Sequence, residues 1–319
     1  MIGARCLKVA GLLEEVAEIM LRRLAGKAFD NAYLLLTLMA LFWAGNQVLG
    51  RAAAGEIPPV ALSFLRWSFA SLIVLPFALP HLARDWPVLR EKWLFVGFLG
   101  IIGGGAFNTL QYIGLNYTTA LNSLILNSTG PILIAIACVL IFKDRLTTPQ
   151  IVGTLISMAG VLVIVSRGEP ETLLTLSLNR GDLIILFAMA ITAVYTAYLR
   201  LRPAIHWITF LFCMFLASGL FNLPIVLVEM FVFGKFVQPT LFTILALAYV
   251  SIFPSILAYL CFTRGVELIG GVRAGIFMHL IPLFGALMAI MLLGEPLGMY
   301  HVVGFILIIA GVALTSRKP

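Results

Sequence analysis

Trp43, Asn46, Gln47 and Gly50 recur at i, i+3, i+4 and i+7, which is one face of a helix. The surrounding residues are apolar, so this face carries two amides at a depth where polar groups need partners. Such amides either bond to neighbouring helices or line an internal cavity. Trp43 adds aromatic surface to the same face, which favours the cavity. A second stretch places Asn108, Gln111 and Tyr112 on one face just after Gly103, Gly104 and Gly105. Triple glycine weakens a helix and permits a break or a close approach. A third carries Asn122, Ser123, Asn127 and Ser128 ahead of Pro131, whose missing N–H predicts a kink.

Two later stretches are interrupted in the same way, by Pro254, Ser255 and Tyr259, then by Gly270, Gly271, His279 and Pro282. Gly104, Pro131, Pro254 and Pro282 are the expected hinges. Tyr195, Tyr198 and Tyr259 can join Trp43 in an aromatic wall, although 23 phenylalanines make ordinary packing the competing reading. Amides beside aromatic faces suit a small zwitterion. The rings accept an apolar side chain and attract an ammonium, while amides, Arg66 and freed helix N-termini favour a carboxylate. His279 is the only histidine well inside an apolar stretch. It reads either as a hydrogen-bonded structural group or as a residue titrating near neutral pH. Arg66 lies roughly 12 Å into its stretch at 1.5 Å per residue, so a charge or gating role competes evenly with snorkelling. Arg273 is nearer an end and is expected to snorkel. The cysteines Cys6, Cys138, Cys213 and Cys261 show no pairing or metal-ligand spacing. No catalytic residue, metal or cofactor is expected.

The elements that hold these residues follow from composition. Of 319 residues, 61% are hydrophobic and 11% charged, with a mean hydropathy of +1.07. A soluble domain runs about 45–50% apolar and about 25% charged. Water-soluble, disordered, collagen-like and disulfide-scaffold classes are excluded, and an all-α integral membrane protein remains. Helices of about 20 residues span a bilayer. Ten candidates fit between the charge and proline breaks: 31–54, 58–80, 93–115, 119–142, 149–166, 181–201, 205–229, 240–264, 270–293 and 297–315. Runs this long and unalternating do not fit barrel strands. Residues 1–28 mix charges throughout and so lack a signal-peptide core. Leu12, Leu13, Val16, Ile19 and Met20 predict a short interfacial helix or an extension, and Met20 would also serve as a start.

With the N-terminus in the cytoplasm, 15 of the 21 basic residues face that side and four (Arg51, Arg167, Arg180, Lys235) the other. Arg66 and Arg273 lie within spans. This positive-inside bias places both termini in the cytoplasm and explains the +7 net charge without nucleic acid. Residues 130–166 also match residues 281–316 at a fixed shift. Pro131 and Pro282 are 151 apart, as are Gly114 and Gly265, Asp144 and Glu295, Gly153 and Gly304, and Gly160 and Gly311. Five spans per half is an odd number, so the second half enters the membrane upside down. Such inverted repeats belong to secondary transporters, which hold substrate at the repeat interface near the midplane. The expected units are a cytoplasmic segment 1–29 and five-helix repeats over 30–166 and 180–316.

The first span carries FWAGNQVLGR and the second PPVALSFLRWSFASLIVLP; GLNYTTALNSLILNSTGPILIAI follows, and the second half carries Glu295, Pro296 and Leu297. By these segments the sequence resembles the EamA family of the drug/metabolite transporter superfamily over about residues 30–316. Within it the chain is most similar to YddG-type amino-acid exporters of bacterial inner membranes. That implies a multi-pass carrier of aromatic or neutral amino acids working by alternating access. The acidic-proline turn is present once, since Lys143, Asp144 and Arg145 stand where the second half has Gly294, Glu295 and Pro296.

Asp30, Asp182, Glu229, Glu267 and Glu295 fall near span ends. Without a midspan carboxylate, uniport or exchange is favoured over ion-driven export, and His279 is the remaining proton-coupling candidate. No P-loop, HExxH or GxSxG occurs. Nucleotide-sugar, sugar-phosphate or drug-type carriers of the same superfamily are the near alternatives, and phosphate would call for more interior Lys or Arg. An intramembrane enzyme, a channel or a scaffold are the alternatives from other classes. The expected partners are a small-molecule substrate and the bilayer, with the monomer as the working unit.

Overall fold

The computed structural model describes residues 29–118, 120–174, 179–293 and 298–316. The N-terminal segment with its expected interfacial helix, the turn at Glu295, Pro296 and Leu297, and the Asn122 side chain lie outside that description. Regular structure among the described residues is helical. The order is α1 (Ala32–Ala52), α2 (Pro59–Gly100), α3 (Phe107–Leu115), α4 (Ala120–Asn127), α5 (Gly130–Phe142), α6 (Thr148–Val165), α7 (Pro170–Leu174), α8 (Arg180–Tyr198), α9 (Trp207–Phe231), α10 (Leu241–Ser251), α11 (Ala258–Ile269), α12 (Gly271–Gly275), α13 (Leu280–Leu293) and α14 (Met299–Ser316).

Nine helical runs among the described residues are long and apolar enough to cross a membrane. One of them, Pro59–Leu115, has 57 residues, about twice or more what a bilayer needs. It joins the expected second and third spans, and the break expected between 80 and 93 is helical. The run folds back on itself all the same. Arg66 bonds Asn108 at 3.0 Å, and Thr109 bonds Ser63 at 2.8 Å. Pro76, Pro80 and Pro87 lie inside it. Each removes a ladder hydrogen bond, so the helix bends there without stopping.

Helix starts follow local chemistry. Asn31 Oδ1 accepts from the Leu34 N–H at 3.1 Å to cap α1, and Asn179 caps α8 through Gly181 and Asp182. Two carboxylates cap across helices. Glu229, near the end of α9, accepts from the Val60 and Ala61 N–H groups at the start of α2. Asp85, far along α2, accepts from the His206 N–H at the start of α9. Negative charge at these two N-termini opposes the positive helix ends and ties α2 to both ends of α9.

The two halves share their irregularities at one offset. π-helical turns occupy Ile101–Ala106 and Ile252–Leu257, 151 residues apart, where the sequence has its triple glycine and Pro254. A break at Ser128 and Thr129 separates α4 from α5, and a 3-10 turn at Ile276–His279 precedes α13 at the same offset. Pro131 and Pro282 therefore sit in the first turns of α5 and α13, where a missing N–H costs little, and not as kinks within a continuous span. The packing repeats as well. α1 lies on α11 and α13 as α8 lies on α3 and α5. α6 meets α14 through Gly153 against Gly311 and Gly160 against Gly304. Those two contacts exchange under the offset, which is the signature of a pseudo-twofold between inverted halves.

Candidate functional site

The interrupted spans of both halves meet around a chamber of about 30 Å³. Its polar wall is Asn46 and Gln47 from α1, Asn108 and Gln111 from α3, and Asn127 from α4. Trp43 and Phe107 give aromatic surface, and Ser128, Met278, Ile281 and Pro282 close it from the two broken spans. Trp43, Asn46, Gln47, Asn108, Gln111 and Asn127 are thus brought together as their spacing suggested. Phe107, Met278 and Ile281 were not foreseen. Phe107 stands four residues before Gln111, and Met278 four before Pro282, so helical spacing from the chosen residues would have found both.

The amides are held in defined orientations. Gln111 Nε2 donates to Asn127 Oδ1 at 2.9 Å, and Asn127 Nδ2 donates to the Ser123 carbonyl at 2.8 Å. Gln111 Oε1 is buried without a hydrogen-bond partner. Asn46 Oδ1 accepts from Tyr112 Oη at 2.9 Å and from Arg66 Nη1 at 3.1 Å. Asn108 Oδ1 also accepts from Arg66 Nη1, at 3.0 Å, while its Nδ2 donates to Tyr259 Oη at 3.1 Å. Buried acceptors and donors are normally paired; of the seven unpaired buried side-chain atoms among the described residues, the Gln111 oxygen is the one in the chamber wall, where a ligand donor would pair it.

Arg66 does not snorkel. It is fully buried and forms the hub behind the chamber. Its Nε donates to Ser255 Oγ at 2.6 Å, and its Nη2 to the Pro254 carbonyl at 3.0 Å. The π turn makes this possible. Pro254 has no N–H to offer the Val250 carbonyl four residues back, and the Ser255 hydroxyl takes that place at 2.6 Å. The same turn brings the Pro254 carbonyl to Trp43 Nε1 at 3.1 Å. Trp43 also lies edge-on to Tyr259, with centroids 5.7 Å apart.

Several expected site residues lie off the chamber. Tyr112 and Tyr259 support its wall from behind, and Tyr259 donates to the Gly103 carbonyl at 2.5 Å. Tyr195 is buried and its hydroxyl faces Met214 Sδ at 3.5 Å. Tyr198 packs edge-on against Phe98 and Phe142, nearer the end that carries Arg200. The aromatic wall is therefore Trp43 and Phe107, with the tyrosines packed outside it. His279 is buried with both ring nitrogens engaged, at 2.5 Å to Ser157 Oγ and 2.8 Å to the Ser128 carbonyl. The carbonyl can only accept, so Nε2 carries a proton there. Gly104 sits in the first π turn, where an added Cβ would lie 2.4 Å from Ser218 Oγ.

Different contacts occupy the two ends of the helix bundle. Toward Arg51 the chamber adjoins a second space of about 240 Å³ that shares Gln47 and Ile281, and Arg51 Nη1 reaches the Leu115 carbonyl at 3.3 Å. At the opposite end, Asp30 pairs with Arg264 at 2.6 Å, and Glu267 pairs with Arg264 at 3.1 Å and Arg202 at 3.4 Å.

Comparison with known proteins places this geometry. The EamA-like transporter family model matches residues 30–166 and again residues 179–317. The chain belongs to the EamA-like transporter family. It is 28% identical over 302 residues to the uncharacterized transporter YyaM of Bacillus subtilis, covering 90% of this chain and 93% of that one. It is 29% identical to an uncharacterized transporter of Archaeoglobus fulgidus, covering 91% and 98%. A crystal structure shares the fold with a TM-score of 0.71 at 20% identity, over 89% of this chain and 95% of that one. As an EamA-like transporter, the chain is a multi-pass membrane protein, and the chamber lies where its two matched segments meet.

Proposed function

We propose that this EamA-like transporter exports small metabolites of the amino-acid type, aromatic or neutral, across a bacterial inner membrane by alternating access. The observation that carries the reading is the chamber of amides and aromatic rings where three interrupted spans meet α1. Secondary transporters build substrate sites from such spans. Amides offer donors and acceptors to a zwitterion, and Trp43 and Phe107 offer an apolar face. At about 30 Å³ the chamber has room for about one water, whereas small-molecule sites run to about 300 Å³ or more. Loading thus requires the halves to part, as alternating access demands.

In this reading both termini lie in the cytoplasm, where the basic loops are, and the monomer is the working unit. The buried carboxylates Asp85, Asp182 and Glu229 serve helix starts, which favours uniport or exchange over ion-driven export. The guanidinium of Arg66 keeps a phosphorylated-sugar carrier as the second reading. The test is counterflow in proteoliposomes with aromatic and neutral amino acids set against phosphorylated sugars. Saturable counterflow of the amino acids is expected. Trp43→Ala and Gln111→Ala should each reduce it without loss of folded protein. Counterflow of the sugar phosphates alone, or normal flux in both variants, would overturn the proposal.

A further inference from the structure

Arg66 is the charged group nearest the chamber wall, and among the described residues no carboxylate balances it. A guanidinium keeps its charge in proteins and presents five N–H donors. All the partners of Arg66 are neutral oxygens: Ser255 Oγ, Asn46 Oδ1, Asn108 Oδ1, Tyr112 Oη and the Pro254 carbonyl. The distribution is uneven. Three oxygens crowd the two N–H groups of Nη1, while Nη2 has one acceptor for its two. The Trp67 ring faces the guanidinium carbon at 4.7 Å, which adds a weak attraction and no counter-charge.

The buried carboxylates are occupied elsewhere. Glu229 is spent on Val60 and Ala61, the nearer of which is about 8 Å along the helix from Arg66 at 1.5 Å per residue. Asp85 holds His206 N–H, and Asp182 holds Asn179 N–H. The N-termini of α5 and α13 begin beside Ser128 and Pro282 of the chamber wall, and helix N-termini add positive potential. An uncompensated buried charge is costly, and a ligand anion would remove that cost. Gln111 Oε1, open and buried in the same chamber, is an acceptor for a ligand N–H.

We infer that Arg66 is the charge filter of this transporter and selects substrates that bear a carboxylate. As the chamber widens, the crowded Nη1 exchanges the Asn46 or Asn108 oxygen for the carboxylate, and Gln111 Oε1 takes the ammonium of an amino acid. The inference rests on the amino-acid reading for the second contact only; selection of the carboxylate stands on Arg66 itself.

The test uses matched probes on the full chain: phenylalanine, its amide, phenethylamine and 3-phenylpropionate, with gluconate against glucose as a second skeleton. Binding is read by thermal protection in detergent and transport by counterflow in proteoliposomes. Phenylalanine is expected to bind at least tenfold more tightly than its amide and the amine. Arg66→Met should erase that ratio, and Arg66→Lys, which keeps the charge and loses the fork, should retain part of it. If phenylalanine and its amide bind equally in the wild type, the charge filter fails and the amino-acid reading stands. If gluconate is preferred over glucose while no amino acid binds, the amino-acid reading fails and the filter stands. No protection by any probe overturns both. Should Arg66→Met not fold, a ratio reduced but not erased in Arg66→Lys supports the filter, and a ratio absent from the wild type, or unchanged in Arg66→Lys, sinks it.

Discussion

Asn108 and Tyr259 stand 151 positions apart and are hydrogen-bonded to one another at 3.1 Å. Because 151 is also the repeat offset, each residue is the other's counterpart, and their bond lies on the pseudo-twofold axis. His279 and Ser128 are a second such pair, at 2.8 Å. The axis thus passes through the wall of the chamber and through the histidine behind it. Any motion that interconverts the halves acts on these bonds.

Tyr259→Phe should destabilise the fold, because it removes the donor to Gly103 and the acceptor for Asn108. Losing buried bonds of this kind costs about 1–3 kcal/mol. The thermal midpoint in detergent is expected to fall, with flux reduced in proportion to the remaining folded protein or by more. An unchanged midpoint would show that the axial bond carries no stability.

The α6–α14 contact tolerates no side chain at its glycines. A Cβ on Gly311 would lie 2.4 Å from the Gly153 carbonyl, and one on Gly160 2.8 Å from the Gly304 carbonyl. Small residues let membrane helices approach closely, and backbone cannot retreat as a flexible side chain can. Gly311→Val is expected to cost several kcal/mol and to sharply lower monodisperse yield. Gly97→Ala has nothing within 4 Å of its new Cβ. It should be neutral or gain up to about 1 kcal/mol of helix propensity. Equal yields for the two variants would contradict this packing.

Glu267 holds both Arg202 and Arg264, while no such network closes the Arg51 side among the described residues. Glu267→Gln should weaken the closure at that end. Leu260 lines the space beside this network, so a Leu260→Cys reporter in a cysteine-free background measures the opening. Its labelling by a water-soluble maleimide should rise severalfold in the Glu267→Gln background. Exposed pairs contribute only about 0–1 kcal/mol each, so the shift is one of populations. A rate that does not change would remove the network as a gate.

His206 lies outside the spanning helices, with its ring stacked on His81 at 3.7 Å between centroids. Desolvation first, and the neighbouring His81 second, hold its pKa below the ordinary 6.5. Above that value the imidazole is neutral in both folded and unfolded chains. As the pH falls below it, the unfolded chain takes the proton first, so stability is lost toward acid. The thermal midpoint should drop from about pH 7 to about pH 5. His206→Asn keeps an N-cap acceptor for the Ile208 N–H and should flatten the drop. A steeper drop in the variant would contradict the assignment.

The sequence by itself determined the membrane class, the helical class and the duplication, because these rest on composition and on a single fixed offset. It also determined six residues of the chamber, because helical spacing puts side chains on one face whatever that face meets. It did not determine that the second and third spans run on as one folded-back helix, since proline marks a bend and a break alike. Nor did it fix the fate of Arg66, His279 and the tyrosines. Whether a buried polar group lines a cavity or stands behind it depends on the partners that other helices deliver. Arg66 meets Ser255 and Pro254 across 189 and 188 positions, and only the folded chain brings them within reach.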